Sequence, residues 1–338
     1  MSAGEPGAAS SAVQAAPSAP ALSVVLCTPD HYTTVRRTVR FLRAQTARED
    51  IELILVAPAV ADLGLEAEEV EGFHACQVVE VGAVTSVAAA YAAGVRRARA
   101  PVVALAEDHS FPEPDWARAL IARHREPWAA VGPVMGNANP GSLVSWCDFL
   151  ISYGPWADPQ PGQESLHLPG HNSSYKRSAL MSYGGRLEGM LAAETVLHAD
   201  LRGRGHRLYL DPAAKTAHVN FSRLFPWLRV QVHAGRVFAA ARSGDWTPLR
   251  RLLFTCGSPL IPFVRARRAV GQARRTEGAR ALVHRLTPLL LLGLALDGLG
   301  QMLGYAFGAG RSTARMSAFE FHRTRYLTES DRRRMADP

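Results

Sequence analysis

Lysine is almost missing from this 338-residue chain: Lys176 and Lys215 are the only two among 38 basic side chains, and the rest are arginine. A GC-rich genome explains that bias more simply than phosphate recognition does. Cysteine is scarce as well. Cys27, Cys76, Cys147 and Cys256 stand far apart with no CxxC pair, which excludes a disulfide scaffold or zinc ribbon and fits a reducing compartment. The first basic residue is Arg36, and small residues and proline stand where a leader would carry its apolar stretch. No secretory signal is therefore expected, and the catalytic part is expected to stay in the cytosol. No GxGxxG follows Leu26, against a Rossmann dehydrogenase. Internal repeats are absent too.

What is present supports a core. Apolar residues make up 47% and charged residues 20% of the chain, so global disorder is excluded, and the length fits about two structural units. The net charge of +8 is unevenly spread: residues 1–222 carry −5 and residues 223–338 carry +13. An acidic site in the first part and an anionic surface met by the second follow from that asymmetry.

Residues 1–20 are poor in bulky apolar side chains and read as a disordered tail. From Leu22 onward, short apolar runs alternate with amphipathic stretches. Strands are expected at Leu22–Cys27, Ile51–Val56, Gln77–Val81 and Pro101–Ala106. Helices are expected around Val35–Leu42 and Ser86–Arg99. This alternation predicts an α/β fold with an open, mostly parallel sheet, whose ligands sit at the carboxyl ends of strands. Further on come a strand at Ala129–Val134, a helix at Glu194–Arg204 and a short strand at Arg207–Leu210. Beyond Phe221 the chain turns arginine-rich and helical.

Leu286–Phe307 is the most apolar window, with Asp297 as its one charge. It has the roughly 20 residues that a membrane span needs. Asp297 costs about 2.5–3.5 kcal/mol on insertion scales against about 0.5 gained per Leu, so the two sides nearly cancel. Basic flanks on both sides, Arg265–Arg285 before and Arg311 and Arg315 after, favour contact with an anionic cytoplasmic leaflet over a full span. A buried soluble helix is the alternative. Nucleic acid is not expected as a partner, because the arginines are not interleaved with aromatics.

Chemistry concentrates at Glu107-Asp108-His109, where the fourth strand ends. Oxygen and nitrogen donors at a sheet edge suit Mg²⁺ or Mn²⁺, which could neutralise a nucleotide diphosphate. The plain alternative is a solvated acidic loop. Four stretches in order, LSVVLCTP, ALAEDHSFPEPDW, LPGHNSSYKRSAL and AAETVLHADLRGRGHRLYLDPAAKTAHVN, resemble glycosyltransferase family 2, inverting enzymes of GT-A fold. The resemblance covers about residues 21–222. It implies a catalytic domain there; beyond it, composition and charge predict a helical membrane-associated region at 223–310 and a basic tail at 311–338. Some bacterial members end such helices in Gly-Tyr-x-x-Gly, and Gly304-Tyr305-Ala306-Phe307-Gly308 is similar.

Carried over by position, Glu107 and His109 take the two ends of the DxD motif with Asp108 between. His218 matches the histidine that completes the metal site. Glu194 matches the glutamate of the family's Glu-Asp pair, whose aspartate is the usual base, so either Glu194 takes the catalytic role here, the favoured reading, or the base lies elsewhere. Thr28, Pro29, Asp30 and Asp108 fall where the donor binds, and His171 and Asn172 in the acceptor half. Trp146 and Trp156 are expected in the core rather than stacked on a sugar. Three departures stand out. Ala57-Pro58-Ala59 replaces the base-reading Asp-Asp-Gly-Ser, with Asp62 the nearest acid. Tyr91-Ala92-Ala93-Gly94 replaces Arg-Asn-x-Gly, and Thr195 follows Glu194 where an aspartate is usual. QxxRW is absent, which points to single transfer.

The expectation is thus a metal-dependent, inverting transfer from a nucleotide-sugar donor to a carbohydrate or lipid-linked acceptor. It would take place at the cytoplasmic face of a bacterial inner membrane, with Mn²⁺ or Mg²⁺ as cofactor. A catalytically silent relative that binds a nucleotide or saccharide at the membrane is the competing class.

Overall fold

The computed structural model describes residues 19–336; the tail expected at 1–20 lies, up to residue 18, outside them. The first half is built as the apolar runs require. Strands β1 (Leu22–Cys27), β2 (Ile51–Ala57), β3 (Ala75–Glu80) and β4 (Val102–Ala106) alternate with helices α1 (Tyr32–Arg43), α2 (Val60–Leu63) and α3 (Val87–Arg97). They form a parallel sheet in the order β3-β2-β1-β4, with Leu22 facing Ile51 on one side and Val102 on the other. Alternate residues of each strand enter two cores. Val25, Ile54, Val103 and Leu105 join Tyr91, Ala92 and Val95 of α3, while Val24, Leu26, Leu53 and Leu55 join Val35, Val39 and Leu42 of α1. A strand buried on both faces reads as a near-continuous apolar run, as β1, β2 and β4 do. Gly94 lets α3 seat on the sheet: a Cβ there would stand 2.3 Å from Val25 Cγ1.

Two fully buried polar residues break the apolar pattern, Ser23 of β1 and Glu52 of β2, and they are partners. The Glu52 carboxylate accepts from Ser23 Oγ at 2.5 Å, Arg99 N at 2.8 Å, Arg99 Nε at 2.5 Å and Gln77 Nε2 at 3.1 Å. The run Ile51–Val56 therefore carries a polar clamp that joins two strands to the loop before β4.

The second half is mixed. After β5 (Ser110–Pro112), α4 (Trp116–Arg123), β6 (Trp128–Asn137) and α5 (Leu143–Ser152) come β7 (Gln163–Glu164), β8 (Ser174–Lys176), α6 (Arg177–Met181), α7 (Leu187–Leu191), α8 (Glu194–Gly203) and β9 (Arg207–His218). The sheet continues β4-β8-β6-β9-β5, with β7 against β9. The pairs β4–β8, β6–β8 and β5–β9 are antiparallel, while β6–β9 is parallel. The parallel order read from the sequence holds for the first four strands only. The strand expected to stop at Leu210 continues to His218, because its register on β6 slips between Asp211 and Lys215. Pro212 sits in that bulge, where no ladder N–H is needed.

The C-terminal part is a helical bundle: α9 (Leu224–Arg242), α10 (Pro248–Gly257), α11 (Ile261–Arg275), α12 (Val283–Phe307), α13 (Ser312–Glu320) and α14 (Glu329–Ala336). Arg280–Phe307 is long and apolar enough to cross a membrane, and 44% of its most apolar window is buried against protein. Leu286, Leu290 and Leu294 pack with Trp227 and Phe149. Asp297 is buried, paired with Arg265 and accepting from Gln301 Nε2 at 2.8 Å. Glycines let α12 and α9 meet backbone to backbone. A Cβ on Gly300 would stand 2.2 Å from Val232 O, and one on Gly304 2.4 Å from Arg236 O. The segment expected as a basic tail instead folds back on the sheet domain, with Leu327 buried and Thr328 N donating to Ser222 Oγ at 2.8 Å.

Two outcomes follow. Burial pushes the Glu52 carboxyl up, but the Ser23 hydroxyl, the Arg99 amide and the Arg99 guanidinium outweigh it and hold it below the ordinary glutamate range. A carboxylate depressed in the folded state stabilises it above the unfolded pKa, and that contribution is lost as pH falls through the folded value. Glu52→Gln is expected to cost about 1–3 kcal/mol near neutral pH, with the gap to wild type closing in acid. Urea unfolding across pH checks this, and a constant gap would discard the clamp. Gly304→Leu is expected to cost about 1–3 kcal/mol or more by overpacking, read as a fall in thermal midpoint.

Candidate active site

The site forms where β4 ends and β5 meets β9. Ser110 pairs with His218 across that antiparallel ladder, and Val219 N donates to His109 O at 2.9 Å. Two histidines distant in sequence are thereby placed side by side, ring centres 4.9 Å apart. Glu107, His109 and His218 offer one ligand atom each, all within 4.8 Å of one another, and all three residues are buried.

Each ligand atom is aimed by a neighbour. Asp108 Oδ1 holds His109 Nδ1 at 2.5 Å, and Asn220 Oδ1 holds His218 Nδ1 at 3.0 Å. Both Nε2 atoms are left buried with no hydrogen-bond partner. The Glu107 carboxylate accepts from Ser110 Oγ at 3.0 Å and Asn172 Nδ2 at 2.7 Å. Tyr153 packs its ring on His218 at 4.4 Å. Burial drives His218 well below the usual imidazole range, so it is neutral and keeps a lone pair. Burial alone would raise Glu107, but His109, His171 and His218 hold it well below the usual carboxylate range. Two orphaned imidazole nitrogens facing an ionised carboxylate, each ring held from behind, fit a divalent cation.

A second carboxylate faces the same cavity. Glu194 opens α8, and its Oε1 pairs with His171 Nε2 at 2.5 Å, while His171 Nδ1 stands 3.3 Å from Glu107 Oε1. Burial lowers the His171 pKa, but Glu194 and Glu107 raise it well above the imidazole range. It is an imidazolium bridging two carboxylates. Gly170 makes room: a Cβ there would sit 2.8 Å from the Glu194 carboxyl carbon. Tyr91 supports His171 edge-on at 5.2 Å and donates to Ala106 O at 2.9 Å.

The cavity, about 390 Å³, is lined by Glu107, His171, Glu194 and His218, and also by Glu320 and Arg323. Sequence reading missed the last two. Arg323 is buried, pairs with Glu320, lies 3.6 Å from Asp148 Oδ2 and covers the Phe221 ring at 4.5 Å. Glu320 Oε2 reaches to 3.6 Å from His109 Nε2. The one local signal was the Glu320–Arg323 spacing beside Phe319 and Phe321, a pattern too common to single out.

Other expected residues have different neighbours. Asp108 stands behind His109 rather than among the ligand atoms, and Asn172 is spent on Glu107. Thr28, Pro29 and Asp30 do not line this cavity. Asp30 Oδ1 accepts from His31 N at 2.7 Å and Thr34 Oγ1 at 2.6 Å, closing the turn into α1. Trp146 is in the core, whereas Trp156 is part-buried and lines the cavity.

Residues 23–184 match the family model Glycosyl transferase family 2. They form a family 2 glycosyltransferase domain. No curated protein matches the chain. Among solved structures the chain is similar to "Crystal structure of GalNAc-T7 with UDP, GalNAc and Mn2+", at 13% identity and a TM-score of 0.44, over 60% of this chain and 44% of that one. Within the family 2 match stand Glu107, His109 and His171. Glu194, His218 and Arg323 lie beyond it and reach the site through α8, β9 and the return of the C-terminal segment.

Arg323→Met removes the cation from the buried Asp148 carboxylate and the part-buried Glu320 carboxylate. It is expected to cost about 3–5 kcal/mol in denaturant unfolding, and adding Asp148→Asn is expected to recover part of that loss. A cost near zero would show that the C-terminal segment is held by other contacts.

Proposed function

We propose that this chain transfers a glycosyl group from a nucleotide-sugar donor to an acceptor hydroxyl by a single displacement with inversion. What carries the reading is one cavity lined both by Glu107 and His218, two members of the buried two-histidine, one-carboxylate donor set, and by the Glu194 carboxylate. Glu194 is the general base. Its pairing with His171 keeps it ionised and fixed, and it takes the acceptor proton as the oxygen attacks the anomeric carbon. Glu107, His109 and His218 would hold Mn²⁺ or Mg²⁺, which supplies positive charge against the departing diphosphate. Asp108, Asn172 and Asn220 position those ligand atoms. No enzyme nucleophile is required.

Binding without turnover is the second reading, favoured by Thr195 beside Glu194 and by Ala57-Pro58-Ala59 at the end of β2. Calorimetry with a panel of nucleoside diphosphates and Mn²⁺ separates the two when joined to a donor-hydrolysis assay. One diphosphate is expected to bind only with metal. His109→Ala is expected to abolish binding, and Asn172→Ala to weaken it about 10–100-fold. Glu194→Gln is expected to retain binding and lose about 10²–10⁴-fold in turnover. Metal-independent binding, or none across the panel, would sink the transferase reading. Binding with no hydrolysis by wild type would leave the silent one.

A further inference from the structure

Between the C-terminal bundle and the segment 163–167 of the sheet domain lies a second, open cavity of about 1100 Å³, above the roughly 300–1,000 Å³ of small-molecule sites. Its walls are mostly apolar: Phe238 from α9, Leu253 and Phe254 from α10, Ile261 and Val264 from α11, and Tyr305 from α12. Four guanidinium groups also line it. Arg265 is neutralised by Asp297, and Arg323 by Glu320 and Asp148. Arg242 and Arg268 have no carboxylate partner among the described residues. Trp156, Thr195, Ala234, Phe238, Met316 and Glu320 line both this cavity and the catalytic one, so the two adjoin beside Glu194.

The outer wall is unusual for a soluble surface. On α10, Leu249, Leu252 and Leu253 are exposed by 76%, 59% and 67%; at the start of α11, Leu260, Phe263 and Val264 are exposed by 65%, 71% and 66%. Both triplets follow the i, i+3, i+4 spacing that puts residues on one helix face. Exposed apolar stripes of this kind mark a protein or membrane contact, and the surrounding arginines suit an anionic bilayer.

We propose that this groove holds the hydrocarbon chain of a lipid-linked acceptor with an anionic head. The chain enters over the α10–α11 stripes, Arg242 and Arg268 meet the anionic head, and the hydroxyl-bearing end reaches Glu194 where the two cavities adjoin. The word acceptor rests on the transferase reading; the binding of an amphiphilic anion does not.

The full-length protein is titrated, without metal or nucleotide, with dansyl-tagged alkyl phosphates of 8, 12 and 16 carbons and with the uncharged 16-carbon alcohol. Saturable binding that tightens with chain length is expected. Gly257 lines the groove with nothing within 4 Å of a Cβ placed on it. Gly257→Trp fills the space and is expected to weaken binding by roughly tenfold or more. Leu253→Asp, on the exposed wall, is expected to act in the same direction. Arg268→Ala is expected to weaken the phosphates and leave the alcohol unchanged. Circular dichroism and metal-dependent nucleoside diphosphate binding, unchanged in these variants, assign any loss to the groove.

No saturable binding, no dependence on chain length, or indifference to Gly257→Trp would overturn the proposal. So would adsorption to phosphatidylglycerol vesicles without binding of the single-chain probes, which would make the face a membrane surface only. If wild type binds the alkyl phosphates and no nucleoside diphosphate, the groove stands and the transferase reading falls.

Discussion

Much of the molecule is organised around the buried carboxylate of Glu107. A lone ionised group out of water costs several kcal/mol, so it persists only where partners converge on it. Here they come from separate parts of the chain: Ser110 from β5, His171 and Asn172 from the turn before β8, and His218 from the end of β9. Ser110 is a local partner, but His171 and Asn172 reach Glu107 only if β8 inserts beside β4, and His218 only if β9 carries on past its bulge to pair with β5. Electrostatic satisfaction at one atom pair is thus coupled to the topology of the mixed half of the sheet.

That coupling explains what the sequence disclosed and what it did not. The parallel strands were legible because residues buried on both faces must be mainly apolar in succession, and Leu22–Cys27 and Ile51–Ala57 are, with Ser23 and Glu52 the exceptions. Glu107-Asp108-His109 was legible because three polar groups directly after such a strand are costly without a purpose. The C-terminal reach of β9 was not, since Pro212 interrupts the local pattern and only the partner strand β6 shows that the ladder resumes. Glu52 was hidden for the opposite reason: one carboxylate inside an apolar run looks like the solvent side of an edge strand. His171 was noticed as a polar loop residue, but its bridging position depends on Gly170 letting that turn approach α8, a distance no spacing rule encodes.

The C-terminal half shows how a sliding hydropathy window misplaces an apolar surface. The window averages over all faces of a helix and finds α12, where nine leucines outweigh Asp297. Much of that apolar surface is covered by α9, α11 and α5, and the aspartate is answered by Arg265 and Gln301. Leu249–Leu253 and Leu260–Val264 are the reverse case. Arg250 and Arg251 interrupt the first run and Arg265, Arg267 and Arg268 follow the second, so a long window averages both down, yet their apolar side chains face outward.

The arrangement of α12 also bears on the reaction. Because Gly235, Gly300 and Gly304 let the α9 and α12 backbones touch, α9 has little freedom to shift relative to α12. α9 carries Ala234 and Phe238, two of the residues shared by the catalytic cavity and the larger groove. A side chain at any of those glycines would push α9 away from α12 and alter the place where the two cavities adjoin. The glycines of α9 and α12 thereby hold Ala234 and Phe238 in place where the two cavities adjoin. The geometry that a lipid-borne acceptor would meet is set by packing inside the protein rather than by the bilayer.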